Sequence, residues 1–164
     1  MACSFLPAHR WLLATCTASL LLAAGAGCDS SGIGKTYPVT GKIFVNGELA
    51  LGCAGTVALY PDATKGNTTT FDVWANLGEE GDGTYTVYTK GRGGSKAGAP
   101  PGWYQVTVSV FPAEGRLDPK NKRTLKQIKV NPKYWSKTTS KLEIEVVEKP
   151  APGAYDLRVG ETPP

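Results

Sequence analysis

Between residues 37 and 160, apolar and polar residues alternate in short runs, as they do in β-strands with one buried face. In the first run, one side is formed by Val39, Gly41, Ile43 and Val45. Turn residues such as Asn46-Gly47, a favoured two-residue hairpin turn, separate most of the runs. The runs cover 39–45, 56–60, 71–76, 84–89, 103–110, 141–146 and 155–159. No stretch has helical spacing over three turns, so the pattern predicts an all-β fold, a seven-stranded antiparallel β-sandwich.

One connection within this domain is unusually long. Residues 112–140 separate the fifth run from the sixth, and connections of this length are uncommon in compact domains unless they are functional or mobile. The apolar residues Leu125, Ile128 and Val130 predict a short extra strand inside it.

The N-terminal residues follow a different pattern. Trp11 to Ala26 form an uncharged run rich in Leu and Ala that is shorter than the ~20 residues of a membrane-spanning helix. Residues 1–27 are therefore predicted to be a signal peptide. The small residues at its end, followed by Cys28, resemble a bacterial lipobox, although Gly25 stands where Leu is usual. This resemblance implies cleavage before Cys28 and acylation of that cysteine. The alternative is ordinary signal peptidase cleavage after Ala26.

Cleavage before Cys28 changes the chemistry that the chain can perform. It removes His9, the single histidine, so the mature sequence excludes catalysis by a Ser-His-Asp or Cys-His set. Cys53 is then the one unmodified cysteine, and we expect it to be a buried apolar residue. Without acylation, a Cys28–Cys53 disulfide is the alternative. Residues 28–36 are predicted to be a flexible tether that keeps the 37–160 domain close to the membrane.

Three strand motifs resemble those of carboxypeptidase-regulatory-like, transthyretin-like domains. They are VTGKIFVNG at 39–47, GDGTYTV at 81–87 and PGWYQVTV at 101–108. Their order after a lipobox, together with residues 132–142, resembles a group of bacterial lipoproteins of this type, and the likeness covers about residues 37–159. The resemblance implies a seven-stranded sandwich that serves as an accessory, folding or binding module and has no catalytic residues.

Charge is unevenly distributed along the chain. The 18 basic and 14 acidic residues give a net charge of +4, yet residues 90–141 contain twelve basic and only two acidic residues. Such a segment can attract anions. The candidate anion-binding or partner-binding residues are Arg116, Lys120, Lys122, Arg123, Lys126, Lys129, Lys133 and Lys137. The expected partner is anionic lipid, acidic polysaccharide or another envelope protein, and the alternative is a solvated surface without a partner. Nucleic acid is not expected for an exported protein.

Three aromatic residues fall on the side of their runs that the core does not use. These are Trp74, Tyr88 and Trp103, and exposed aromatic side chains on a sheet can stack on sugar rings. The alternative is that they cover the second face of the sheet, pack under the long connection or form a protein contact. Glu79, Glu80 and Asp82 cluster in one turn, but they lack the spacing of a calcium loop, so no metal site is predicted.

Together these features predict a non-enzymatic, lipid-anchored β-sandwich in the bacterial cell envelope, held to the membrane through acylated Cys28. It would act as an accessory, binding or assembly module, without a cofactor. Two alternatives stay open: a carbohydrate-binding module that uses the exposed aromatic residues, and an accessory subunit of an exported enzyme. The sequence leaves the oligomeric state open.

Overall fold

The regular structure of the described residues is mostly β-strand. A computed structural model describes residues 32–77, 81–112 and 130–160. Its strands are β1 Thr40–Val45, β2 Glu48–Leu49, β3 Cys53–Pro61, β4 Asp72–Leu77, β5 Thr84–Thr86, β6 Tyr88–Gly91, β7 Gly94–Ala97, β8 Gly102–Pro112, β9 Leu142–Val146 and β10 Leu157–Val159. Within these residues the helical elements are two 3-10 turns, Ala63–Lys65 and Pro132–Trp135, and one short helix, α1, Lys137–Ser140. The all-β prediction is therefore confirmed.

Every predicted run contains a strand, but the run 84–89 contains two. The backbone N–H of Val87 donates to the carbonyl of Val39, and Val87 separates β5 from β6. As a result β5 lies between β4 and β1, whereas β6 lies between β4 and the extra strand β7. The predicted strand around Leu125 and Ile128 lies outside the described residues, and Val130, where description resumes, is buried.

The strands form one sheet in the order β10-β1-β5-β4-β3-β8-β9. Neighbouring strands on this path are antiparallel, except that β10 lies parallel to β1, so the purely antiparallel arrangement predicted above is wrong at this edge. In a flat sheet the two ends of the path would be about 29 Å apart. The connection between these ends, from β9 to β10, makes a turn at 151–154 and is therefore not fully extended. The sheet is curled, which brings its two ends closer together than they would be in a flat sheet.

The inner face of the curled sheet holds a single apolar cluster. Residues at alternate positions of the strands are buried there, as the sequence pattern predicts; Phe71 and Leu142 are half-buried exceptions. Tyr134, from the second 3-10 turn, joins this cluster, and its hydroxyl accepts a hydrogen bond from the backbone N–H of Gly160. The segment after the long connection thus contributes to the core of the domain.

Strands β3 and β8 approach each other too closely for a side chain at Gly55. A Cβ atom at this position would collide with the carbonyl oxygen of Ser109. The glycine therefore permits the nine-residue register between these two strands.

None of the helical elements in the described part of the chain is long and apolar enough to cross a membrane.

Candidate functional site

The N-terminal segment 32–36, predicted to be part of a flexible tether, is packed against the domain. Ile33 is 5% exposed. The Lys96 ammonium donates a 2.5 Å hydrogen bond to the carbonyl of Gly34, and the hydroxyl of Thr36 donates to that of Ala97 at 2.9 Å. The prediction of a flexible tether is wrong for these residues, because tertiary contacts with β7 hold them.

A second set of contacts fixes the chain just after this segment. Tyr37 and Ala99 exchange two backbone hydrogen bonds of 2.8 and 3.0 Å. The Lys35 ammonium lies 3.5 Å from the carboxylate of Glu148 and 4.7 Å from the ring centroid of Tyr37. The carboxylate of Glu148 also accepts a hydrogen bond from the Tyr37 hydroxyl. The segment is thus attached at several points.

This N-terminal segment and the outer face of the sheet lie on opposite sides of β6 and β7. Lys96, which binds Gly34, is paired with buried Thr89, so both point to the inner face. Tyr88, the preceding residue on β6, points to the outer face and is 43% exposed. The segment therefore leaves the outer face uncovered at this position.

The outer face carries three neighbouring aromatic side chains, which we call the aromatic patch: Tyr60, Trp74 and Tyr88. Trp74 on β4 is directly opposite Tyr88 on β6. It is also directly opposite Ala58 on β3, and Tyr60 is two residues further along that strand. Tyr60 is therefore a diagonal neighbour of Trp74, at about 7–8 Å. Tyr60 and Tyr88 are exposed and Trp74 is partly exposed.

Two of the three predicted sugar-stacking residues are thus adjacent, but Trp103 is not part of this patch. On β8, two strands away from Trp74, the residue in line with Trp74 is Thr107. Trp103 is four residues along β8 from Thr107. These spacings separate Trp103 from Trp74 by roughly 16 Å. The Lys65 ammonium lies 4.1 Å from the centroid of the Trp103 indole and 2.5 Å from a carboxylate oxygen of Glu143. The indole ring is thus engaged in a cation–π contact.

The border of the aromatic patch is made of small and polar residues. Alanines flank the Tyr88–Trp74 pair on both sides, Ala97 on β7 and Ala58 on β3. Lys90 and Asp72 form the next cross-strand pair on the same face. These neighbours offer hydrogen-bonding groups beside the rings without a bulky aliphatic side chain.

Of the eight predicted anion-binding residues, the structure describes two. Lys133 and Lys137 are both exposed. The Lys133 ammonium lies 4.9 Å from the ring centroid of Tyr134, and that of Lys137 lies 5.9 Å from the ring centroid of Tyr60. Lys137 therefore borders the aromatic patch. The other residues of this prediction lie outside the described residues: Arg116, Lys120, Lys122, Arg123, Lys126 and Lys129.

The remaining candidate groups have structural roles where they are described. Asp82 accepts hydrogen bonds from the hydroxyl and backbone N–H of Thr84, and these bonds lower the pKa of its carboxyl group. Its predicted neighbours Glu79 and Glu80 lie outside the described residues, as does Cys28. Within the described ranges no group of three or more His, Cys, Asp or Glu residues is placed to hold a metal ion.

Cys53 has the buried position that the sequence predicts. Its side chain is fully buried, and its thiol contacts the carbonyl of Leu51 at 3.6 Å. Burial raises the pKa of the thiol, which disfavours the reactive thiolate.

Tyr60 is the residue of the aromatic patch that the sequence prediction missed. The alternation in its run already put Tyr60 on the side away from the core, together with Thr56 and Ala58. Its proximity to Trp74 depends on the register between β3 and β4, which one-strand periodicity does not contain.

Comparison with known proteins finds no family model, curated protein or solved structure that matches this chain.

Proposed function

We propose that this protein is a lipid-anchored, non-enzymatic β-domain of the bacterial cell envelope that acts as a binding or accessory module. The packed N-terminal segment carries this proposal. Ile33 is buried against the domain, and four residues separate it from Cys28, the proposed site of acylation. An acyl anchor at Cys28 would therefore act on the domain through a very short linker.

The length of that linker limits the distance between domain and bilayer. Five Cα–Cα steps lead from Cys28 to Ile33, and a fully extended chain spans at most about 18 Å over this length. Two or more acyl chains anchor a protein stably, whereas one binds only marginally. The domain would thus stay close to the membrane surface, with little freedom to move away.

A position beside the membrane would give the basic segment an anionic partner. Each Lys or Arg side chain near an anionic bilayer contributes about 1 kcal/mol to the binding of the protein to the membrane surface. Lys133 and Lys137 are exposed and available for this role. We therefore propose anionic lipid headgroups, or an acidic polysaccharide or protein at the same surface, as partners of this segment.

The described carboxyl and phenol groups with shifted pKa values have local structural roles. Asp62 and Asp82 accept hydrogen bonds within turns, from Thr64 and Thr84, which lower the pKa of each carboxyl group. Tyr85 and Tyr104 have a raised pKa because they are buried, and each hydroxyl donates to a backbone carbonyl. These shifts have local structural causes and do not converge on one site.

The all-β architecture also agrees with the resemblance to carboxypeptidase-regulatory-like domains. The three motifs behind this resemblance form β1 with the turn that follows, the turn before β5 with β5, and the first half of β8. A module of this kind would bind or support another envelope component.

The intact mass of the mature protein, extracted from membranes of its own host, tests the anchor. We expect the mass of residues 28–164 plus a diacylglyceryl group and an N-acyl chain. The Cys28→Ser variant is expected to lose both additions and to leave the membrane fraction. A wild-type chain that begins at Gly27 and has no lipid would disprove the proposed anchor.

A further inference from the structure

We propose that the aromatic patch, Tyr60, Trp74 and Tyr88, binds the pyranose rings of a polysaccharide. This inference builds on the proposed binding module, for which it names a ligand class and a site. The patch differs from the set expected from sequence alone, because Tyr60 takes the place of Trp103.

The spacing of the three rings suits a linear chain of sugars. The Cβ atoms of directly opposed residues on neighbouring strands, such as Trp74 and Tyr88, lie about 5 Å apart. Tyr60 extends the patch diagonally, so that the backbone positions of Tyr88 and Tyr60 are about 12 Å apart. This length lets consecutive pyranose rings of a linear chain lie across the three strands.

The composition of the patch favours a sugar over an apolar protein surface. An aromatic face carries partial negative charge and attracts the C–H groups on the apolar side of a pyranose ring. Beside the rings, Lys90 and Asp72 supply donors and acceptors for sugar hydroxyls. The flanking residues Ala58 and Ala97 are small and leave room for a planar ligand.

The other large exposed apolar side chains of the described residues lie elsewhere. Leu51 is in the turn before β3. Phe111, near the end of β8, is opposite Ala54 on β3, and Ala54 is four residues from the β3 position that is opposite Trp74. Trp135 belongs to the second 3-10 turn. The large exposed apolar side chains at the patch are therefore Tyr60 and Tyr88, whereas a stable protein interface uses about 20–30 residues on each partner.

The patch also stays accessible if the chain is anchored. The packed N-terminal segment is bound by Lys96 on the inner face of β7, and Tyr88 points to the outer face of the adjacent strand. A short linker to the bilayer would therefore not cover Tyr88. In the cell envelope, polysaccharide chains could then reach the patch.

Co-sedimentation of the detergent-extracted mature protein with insoluble cellulose, chitin, xylan and calcium alginate tests this assignment. We expect at least one of these to retain the wild-type protein. Alanine substitution of an aromatic residue that stacks on a nucleobase costs about fivefold or more in binding, and we expect a comparable loss for a stacked sugar ring. Trp74→Ala and Tyr88→Ala are therefore each expected to weaken retention at least fivefold, whereas Tyr88→Phe, which keeps the ring, retains it.

Two matched controls separate the patch from aromatic residues in general. Trp135→Ala removes a side chain that is 57% exposed but lies outside the sheet, and Trp103→Phe changes the indole beside Lys65. Both variants are expected to bind as the wild type does. The urea midpoint of each variant is measured together with its retention and identifies any variant that has lost its fold. Among folded variants, the difference in retention between Tyr88→Phe and Tyr88→Ala measures the contribution of the ring at position 88.

Three results would overturn the assignment. The first is that none of the four polysaccharides retains the wild-type protein. The second is that folded Trp74→Ala and Tyr88→Ala variants bind as tightly as the wild type. The third is that alginate alone retains the protein, that 0.5 M NaCl abolishes this retention, and that the aromatic variants are retained as well as the wild type. Such a result would indicate ion exchange through lysine side chains. The intact-mass measurement is independent of these results, so failure of the anchor and failure of the sugar site are distinguishable.

Discussion

The hydroxyl of Tyr85 donates a 2.5 Å hydrogen bond to the backbone carbonyl of Tyr155, a residue seventy positions later in the chain. Both side chains are buried, and the bond connects β5 to the residues that enter β10. It therefore joins the middle of the chain to the edge strand that closes the curled sheet.

Removing this hydroxyl should destabilise the fold. Tyr85→Phe leaves the carbonyl of Tyr155 without its donor in a buried position, and an unsatisfied buried acceptor costs about 1–3 kcal/mol. We expect a loss of this size in the free energy of unfolding, measured with urea. Tyr88→Phe is the control, because Tyr88 is exposed on the outer face. An equal loss in both variants would contradict the role assigned to this bond.

Alkaline pH should also reduce stability. Burial raises the pKa values of Cys53, Tyr85 and Tyr104 above those of the unfolded chain. Their stabilising contribution is therefore complete below the unfolded pKa values and decreases from about pH 8.5 for the thiol and about pH 10 for the tyrosines. We expect the urea midpoint to fall between pH 8 and 11. In Tyr85→Phe, the decrease above pH 10 should be smaller, and a midpoint independent of pH would contradict this account.

Gly41 on β1 is expected to tolerate no side chain. A Cβ atom at this position would collide with the carbonyl oxygen of Tyr155, the same atom that accepts the Tyr85 hydrogen bond. Gly41→Ala should therefore lower the free energy of unfolding by several kcal/mol or prevent folding, since backbone cannot move aside cheaply.

Gly160→Ala is the matched control for this prediction. Its new Cβ atom would meet its nearest neighbour at 3.9 Å, an ordinary van der Waals distance. We expect a change within about 0.5 kcal/mol. Thermal unfolding of both variants compares them, and similar midpoints would refute the close approach at Gly41.

The packed N-terminal segment should protect Lys35 from trypsin. Thr36, on the other side of the scissile bond, donates to Ala97, and Ile33 is buried. In Ile33→Ser we expect cleavage after Lys35 to become at least ten times faster, because the segment loses its apolar contact. Leu51→Ser is the matched control, since Leu51 is 52% exposed. Intact mass measures the rate of cleavage after Lys35. Equal rates in the wild type and in Ile33→Ser would indicate that the segment is a free tether.

The thiol of Cys53 should be unreactive in the folded protein. It is completely buried, and its raised pKa disfavours the thiolate. We expect Ellman's reagent to react with Cys53 at least a hundred times faster in 6 M guanidinium chloride than in buffer. Rapid reaction of the native protein would show that the thiol is accessible and would contradict its burial.

The positions of the strands and their buried sides were predictable from local pattern. Alternation with period two is a property of neighbouring residues, so Val57 and Leu59 could be placed inside and Ala58 and Tyr60 outside without knowledge of any partner strand. The break at Val87 was not predictable in this way. The alternation continues through it. Strand β4 pairs with both β5 and β6, and the change of the second neighbour from β1 to β7 appears only in the hydrogen bonds between strands.

The functional surfaces depended on tertiary contacts to a greater extent. The run of small and polar residues before Tyr37 predicted a flexible tether, but Lys96 on the inner face of β7 binds this segment, and Ile33 is buried. Trp103 satisfied the same exposure pattern as Trp74, yet Lys65 lies over its ring. Both outcomes result from side chains more than thirty residues away in the sequence.

The sequence by itself thus determined the β class, the alternation of core and surface, and the position of Cys53 in the core. These features follow from the polarity of adjacent residues, which the chain carries at every position. The tertiary structure alone decided the parallel pairing of β10 with β1, the packing of Ile33 and the grouping of Tyr60 with Trp74 and Tyr88. These features depend on strand register and on the curl of the sheet, which are determined by the contacts of many distant residues together.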